Sequence, residues 1–165
     1  MQWGYGGRHN RQPMGRKDRL FTDRTQIESI LKRAMVCRVA LADGGQPYVV
    51  PVNFGYQDGC LYFHSDREGK KMDILRRNNR VCFEVDTDLE LVRRQTACQW
   101  GMRYRSVIGF GRAFFVEGRE EKRAALDIIM QHYSDGPFQY DEKQVDEVAI
   151  VRVEIDSMTG KQAGY

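Results

Sequence analysis

The feature that most constrains this chain is a change of hydrophobic period near Val36. Ahead of it Ile27, Ile30, Leu31, Ala34 and Met35 recur at helical spacing behind the capping box Thr25-Gln26-Ile27-Glu28, which predicts a helix over about 25–35. Beyond it the period is two. Cys37, Val39 and Leu41 share one face with Arg38 on the other, and Asp43-Gly44-Gly45 supplies a turn. Residues 47–56 are β-branched and aromatic, and Asp58-Gly59 separates them from residues 60–64, so the three runs read as a meander.

The same alternation of signals continues. Ser65-Asp66-Arg67-Glu68 is a second capping box, leading a short helix to about residue 77 that buries Met72 and Leu75 and stops at Asn78-Asn79. Strand resumes at Val81, Phe83 and Val85, and residues 86–101 read as a long loop with some strand at 89–93. A long strand over 104–117 is interrupted by Gly109-Phe110-Gly111, the mark of a bulge or a barrel corner. A helix over 119–133 packing Leu126, Ile129, Met130 and Tyr133 follows, ended by Ser134-Asp135-Gly136-Pro137. Residues 148–155 form the last strand. Hairpin-linked strands with helices between groups, rather than after every strand, exclude a doubly wound parallel sheet. They point to an α+β chain, mainly antiparallel β, folded as a barrel with helices packed outside.

At 165 residues the chain is one domain, hiding roughly 70% of its unfolded surface. Its 41% hydrophobic content supplies a core without staples. Charge is unevenly placed: the net +3 divides into +4 over residues 1–24 and −1 over the rest. We therefore expect a mobile, basic, Gly-rich leader at 1–15 and a folded domain at 16–165. A near-neutral body does not offer a nucleic-acid groove. The longest apolar runs, such as 49–52 and 148–151, fall far short of the roughly 20 residues that span a bilayer, so no membrane partner is expected. The leader lacks the apolar stretch and small-residue cleavage site of a secretory signal, which points to the cytoplasm. Cys37, Cys60, Cys82 and Cys98 form no C-x-x-C pair; they read as reduced, small hydrophobes, with no metal site among them.

Two segments carry chemistry. Where residues 61–71 run from strand into helix start, free backbone N–H groups together with Ser65, Lys70 and Lys71 suit a phosphate. In Pro47-Tyr48-Val49-Val50-Pro51-Val52-Asn53-Phe54-Gly55-Tyr56, Pro51 donates no ladder hydrogen bond, so the sheet is an edge or bent there, and its peptide groups suit a planar heteroaromatic ring such as a flavin. A plain helix cap and an ordinary edge strand are the alternatives. His64 adjoins both segments and alternates onto the face of Tyr62. No Ser/His/Asp order, paired-carboxylate spacing, P-loop or Rossmann fingerprint is present.

Taken together, Cys37-Arg38-Val39-Ala40-Leu41, the Pro47 to Tyr56 segment, Leu61-Tyr62-Phe63-His64-Ser65 with Glu68-Gly69-Lys70-Lys71, and Ser106-Val107-Ile108-Gly109-Phe110-Gly111 resemble the pyridoxamine 5′-phosphate oxidase-like FMN-binding split-barrel proteins. The similarity runs from about Arg16 to Lys161 and is strongest to the branch containing the nitroimidazole-resistance reductases.

That resemblance implies a six-stranded split β-barrel with flanking helices, a homodimer, and two FMN molecules in the clefts between subunits. Val50, Pro51, Val52 and Asn53 would line the isoalloxazine. His64, Ser65, Lys70 and Lys71 would surround the ribityl phosphate end or the ring edge, with Lys71 the first choice for the phosphate. Ser106 and the segment beginning at Trp100 would reach the flavin held mainly by the other chain, though Trp100 serves equally as an interface anchor. His64 matches a histidine near the flavin in the nitroimidazole-reductase branch and is the catalytic candidate. The implied activity is FMN-dependent transfer of electrons or hydride from NAD(P)H to a small acceptor, a nitro-aromatic among the candidates. A non-catalytic flavin-binding or sensing protein is the alternative. The end of the chain, Met158 to Tyr165, lacks the Arg/Trp substrate motif of true pyridoxamine phosphate oxidases, so vitamin B6 oxidation is not expected.

Overall fold

In the computed structural model, which describes residues 19–165, eight antiparallel strands form one curled sheet and four helices pack on it. The expected leader at 1–15 lies outside the described residues. Six strands are long: β2 (Cys37–Asp43), β3 (Gln46–Val52), β5 (Cys60–Ser65), β6 (Arg80–Val92), β7 (Gly101–Val116) and β8 (Ala149–Ala163). Two short ones, β1 (Leu20–Phe21) and β4 (Gly55–Gln57), pair with β8 and β5. The six-strand expectation missed only these two. Helices α1 (Arg24–Arg33), α2 (Lys70–Arg77), α3 (Arg119–Gln131) and the short α4 (Glu142–Glu147), which has no counterpart in the sequence reading, complete the fold.

The strand order is β3-β2-β6-β7-β8-β5-β4. The expected meander is therefore corrected. β2 and β3 form one hairpin and β4 and β5 another, but the two hairpins do not pair, and they occupy opposite ends of the sheet. Only Asn53 and Phe54 connect β3 to β4, so the two ends meet at that corner without a ladder, which is the split in the barrel. The core fills the inner face with Val39, Leu41, Leu61, Phe63, Phe83, Val85, Val107 and Val153, sealed at one end by Ile27, Ile30 and Leu31 of α1. Cys37 lies in this core, where burial pushes its thiol up to about 12, as a small hydrophobe requires.

Several boundaries differ from the sequence reading for physical reasons. α1 begins one turn-position earlier, because the Asp23 carboxylate rather than Thr25 caps it, accepting from Gln26 N at 2.8 Å. The Ser65 box caps nothing: Ser65 is the last residue of β5, opposite Ala149 of β8, and α2 starts five residues later behind Gly69. The strand expected at 89–93 joins the one before it, and residues 86–92 are strand throughout. β6 runs on past β2 with a register shift between Thr87 and Glu90, where Asp88 takes φ 57°. β8 likewise continues to Ala163, and β7 shifts register against it between Phe110 and Gly111. On α3, Ile129 is buried, whereas Met130 is exposed.

Close packing at the corner depends on Gly55. A Cβ there would sit 2.4 Å from the Ile128 backbone oxygen of α3, which has no room to yield. Gly55→Ala should cost about 1–3 kcal/mol of overpacking strain. A urea melt of the variant with an unshifted midpoint would show that α3 does not press on β4.

Candidate functional site

β3 ends the sheet, so one of its edges is unpaired. Pro47 and Pro51 share strand parity, and both fit an edge where no ladder donor is lost. The alternation divides the four residues expected against a flat ligand. Val52 is buried and Val50 half-buried, packed toward the core, while Pro51 and Asn53 are exposed on the other face. What they share is their place at the end of the edge strand, with Pro51 turned to its free side.

α2 lies beside this edge. Its C-terminal end is tied to the β2–β3 hairpin by Arg77 Nη2 to Asp43 Oδ1 at 2.8 Å and by Asn78 Nδ2 donating to Ala42 O at 3.2 Å. At its start, Lys70 Nζ stands 4.8 Å from the Tyr48 ring centroid, a cation–π contact that puts the helix tip against β3. Lys71 Nζ is 5.6 Å from the Phe63 ring. The structure thus sets Lys70 against Tyr48 of β3, two residues before Val50, and Lys71 against Phe63 of β5.

The helix start itself is open. Gly69 is the N-cap at φ 115°, a conformation side-chain-bearing residues rarely adopt, and no side chain caps the helix. A Cβ at Gly69 would meet nothing within 4 Å. The first-turn N–H groups at 70–72 have no helical acceptor, and the helix dipole adds positive potential to that of the two lysines. Burial holds the Lys71 ammonium below the usual lysine range, with Asp66 pulling the other way. This is an uncapped helix tip bearing two lysines, with Asp66 and Asp73 nearby, and an uncapped helix start of this kind suits an anion.

Other expected residues fall elsewhere. Ser65 shares the strand face of Phe63, and His64, exposed and opposite Ile150, projects to the other side of β5. Ser106 is buried on β7 between Asp86 and Lys161, three strands from β3, about 14 Å at the usual interstrand spacing. Trp100 sits at the end of the β6–β7 hairpin, its indole N–H donating to Arg94 O at 2.9 Å and its ring 5.8 Å from the Arg93 guanidinium. Neither is brought to the Lys71 corner within one chain.

The sequence reading missed three contributors. Tyr48 positions Lys70, and Gly69 keeps the helix tip open. Arg38, facing Pro51 across the hairpin, is held by Asp86 Oδ1 at 2.5 Å and Glu84 Oε2 at 3.2 Å. Gly69 ahead of two lysines was the one legible signal, since glycine is an acceptable N-cap.

A split barrel of antiparallel strands with a cationic helix start at its open edge defines a ligand-binding class. The family model for pyridoxamine 5′-phosphate oxidase matches residues 23–162, and the chain belongs to that family. A candidate 5-nitroimidazole antibiotic resistance protein from Bacteroides thetaiotaomicron is 44% identical, with TM-score 0.78 over 87% of this chain and 86% of that one. An FAD-binding protein from Mesorhizobium loti is 26% identical, with TM-score 0.66 over 88% and 98% of the two chains. The flavocytochrome Anf3 from Azotobacter vinelandii, at 20% identity, is alike in fold, with TM-score 0.79 over 94% and 75%. No curated protein matches the chain. Among the described residues no helix is long and apolar enough to cross a membrane.

Because Lys71 is charged in a partly desolvating place, it costs the ligand-free protein stability at neutral pH, a cost that lifts as pH climbs toward 10.5. Lys71→Met should therefore raise the urea midpoint of the ligand-free protein at pH 7. A lowered midpoint would mean that the ammonium supports the fold rather than waiting for an anion.

Proposed function

We propose that this protein is an FMN-dependent oxidoreductase that passes electrons or hydride from a reduced nicotinamide to a small acceptor such as a nitro-aromatic. The observation that carries the reading is the contact of Lys70, at the open start of α2, with the Tyr48 ring on the proline-bearing edge strand β3. A flavin supplies the redox chemistry when bound, and the protein's part is to hold, orient and tune it. Lys71, Lys70 and the first-turn N–H groups would grip the phosphate. The backbone of Val50, Pro51, Val52 and Asn53 would meet the polar edge of the ring. His64, exposed near the same loop, is the candidate for placing a proton at the reacting edge. The solved relatives support the reading, since the Mesorhizobium loti protein is FAD-binding and the Bacteroides protein is a candidate nitroimidazole resistance protein.

We also propose that the working form is a cytoplasmic homodimer. Its outer sheet face exposes Val49 at 56%, Phe110 at 54% and Ile108 at 46%, apolar groups that a second copy would cover. Ser106 and Trp100, remote from Lys71 in their own chain, would then act on the partner's ligand.

Protein mixed with FMN and freed of excess should keep flavin absorbance; a colourless product overturns the proposal. Lys71→Ala should weaken FMN roughly tenfold or more, the loss of a charge-assisted hydrogen bond of about 1.5–3 kcal/mol. Anaerobic mixing with NADH or NADPH should bleach the flavin, whereas a storage or sensing protein would leave it oxidised. His64→Ala should lower turnover while flavin stays bound, and unchanged turnover would confine His64 to a structural role.

A further inference from the structure

A cavity of about 270 Å³ lies where the β5–α2 loop, α2, the end of β7, α3 and the start of β8 meet. We infer that it is a second anion site, taking a small organic carboxylate or phosphate monoester. The inference stands apart from the flavin reading, because none of the residues assigned to the flavin lines it.

Lys122 carries the argument. It is only 5% exposed, and it is one of two buried polar residues among the described residues. Its Nζ donates to Val148 O at 2.8 Å and, at a long 3.4 Å, to Asp146 O. An ammonium has three hydrogens, so a third donor is left over. Both carbonyls belong to the C-terminal turn of α4 and carry no net charge. Of the nearby carboxylates, Asp146 attracts Lys122 and Arg67 from a distance but is bonded directly to Arg119, and Glu142 is paired with Arg119 and Arg123. Lys122 is thus buried without a carboxylate in direct contact, and interiors ordinarily pair a buried cation directly.

Two guanidinium groups join it. Arg67 donates to Asp146 O, and Arg76 Nη2 donates to Arg67 O at 2.5 Å, so main-chain acceptors anchor both heads. Arg67 has no carboxylate partner among the described residues, and Arg76 has only Asp73, one turn away on its own exposed helix surface, at 3.1 Å. Three cations thus line the cavity against one acid, Glu117.

The remaining wall is apolar, formed by Met72, Phe115, Val116 and Ile150, with the Arg76 guanidinium 5.9 Å from the Phe115 ring centroid. The volume equals the liquid share of roughly nine waters, roomier than a bare phosphate needs and far too small for a dinucleotide. An anionic head on a short apolar body fits both the charge and the wall.

Calorimetric titration of the whole protein at low ionic strength tests this, with benzoate and inorganic phosphate as probes. Benzoate should bind one to one. The double variant Arg67→Gln/Arg76→Gln, altered only at exposed heads, should weaken it at least tenfold, whereas Lys71→Ala should leave it unchanged. Lys122→Met should abolish binding if it folds, and the double variant decides the matter if it does not. Phosphate binding with the same sensitivity supports the site and shows that the apolar wall adds little. No saturable binding of either probe overturns the inference. So does binding that survives the double variant, and its loss in Lys71→Ala would place the anion at the helix start instead.

Discussion

Asn53 and Phe54 are all that separates the strands at the two ends of the sheet, and burial of Phe54 fixes how those ends meet. The Phe54 side chain is fully buried, its backbone N–H donates to Tyr133 Oη at 2.9 Å, and its ring lies 4.4 Å from that of His132. Tyr133 in turn donates to Met35 O at 3.1 Å, and His132 Nε2 lies 2.6 Å from Ala34 O, so the end of α3 clamps the corner to the chain leaving α1. A buried aromatic residue with its backbone donor satisfied is hard to displace. The end of β3 and the start of β4 are both placed by that clamp.

The chemistry follows from what the clamp prevents. β3 and β4 do not pair across this corner, where Phe54 is buried and its N–H is committed to Tyr133, so an edge of backbone groups stays open in a structure that pairs its strands elsewhere. Open edges invite aggregation, and Pro47 and Pro51 blunt this one. The α2 tip beside it is left uncapped by Gly69, and Lys71 is held where its charge is poorly solvated. Both are expenses to the fold that a bound anion with a planar head would recover.

Much of this was legible in the sequence. Alternation at Cys37, Val39 and Leu41 and at Val81, Phe83 and Val85 gave strands and faces, because one side of each is buried. Pro51 marked an edge for the reason that prolines mark edges. Pairing partners were not legible, since β5 binds β8 across more than eighty residues and nothing local encodes it. That long-range pairing also defeated the Ser65 capping box: Ser65 is taken into a ladder before it can cap. Residues 86–88 read as loop and only 89–93 as strand, because β6 there leaves the core and its two faces lose their contrast. The burial of Lys122, inside a run of charged residues, had no signature at all.

The central claim is that the cationic tip of α2 holds the charged tail of a flavin whose ring lies on the β3 edge. The most direct measurement is the ratio of the dissociation constants of riboflavin and FMN, which differ by the phosphate alone. FMN should bind at least about tenfold more tightly, the minimum for one charge-assisted hydrogen bond. Equal affinities would contradict the account, since the tip of α2 would then be gripping nothing.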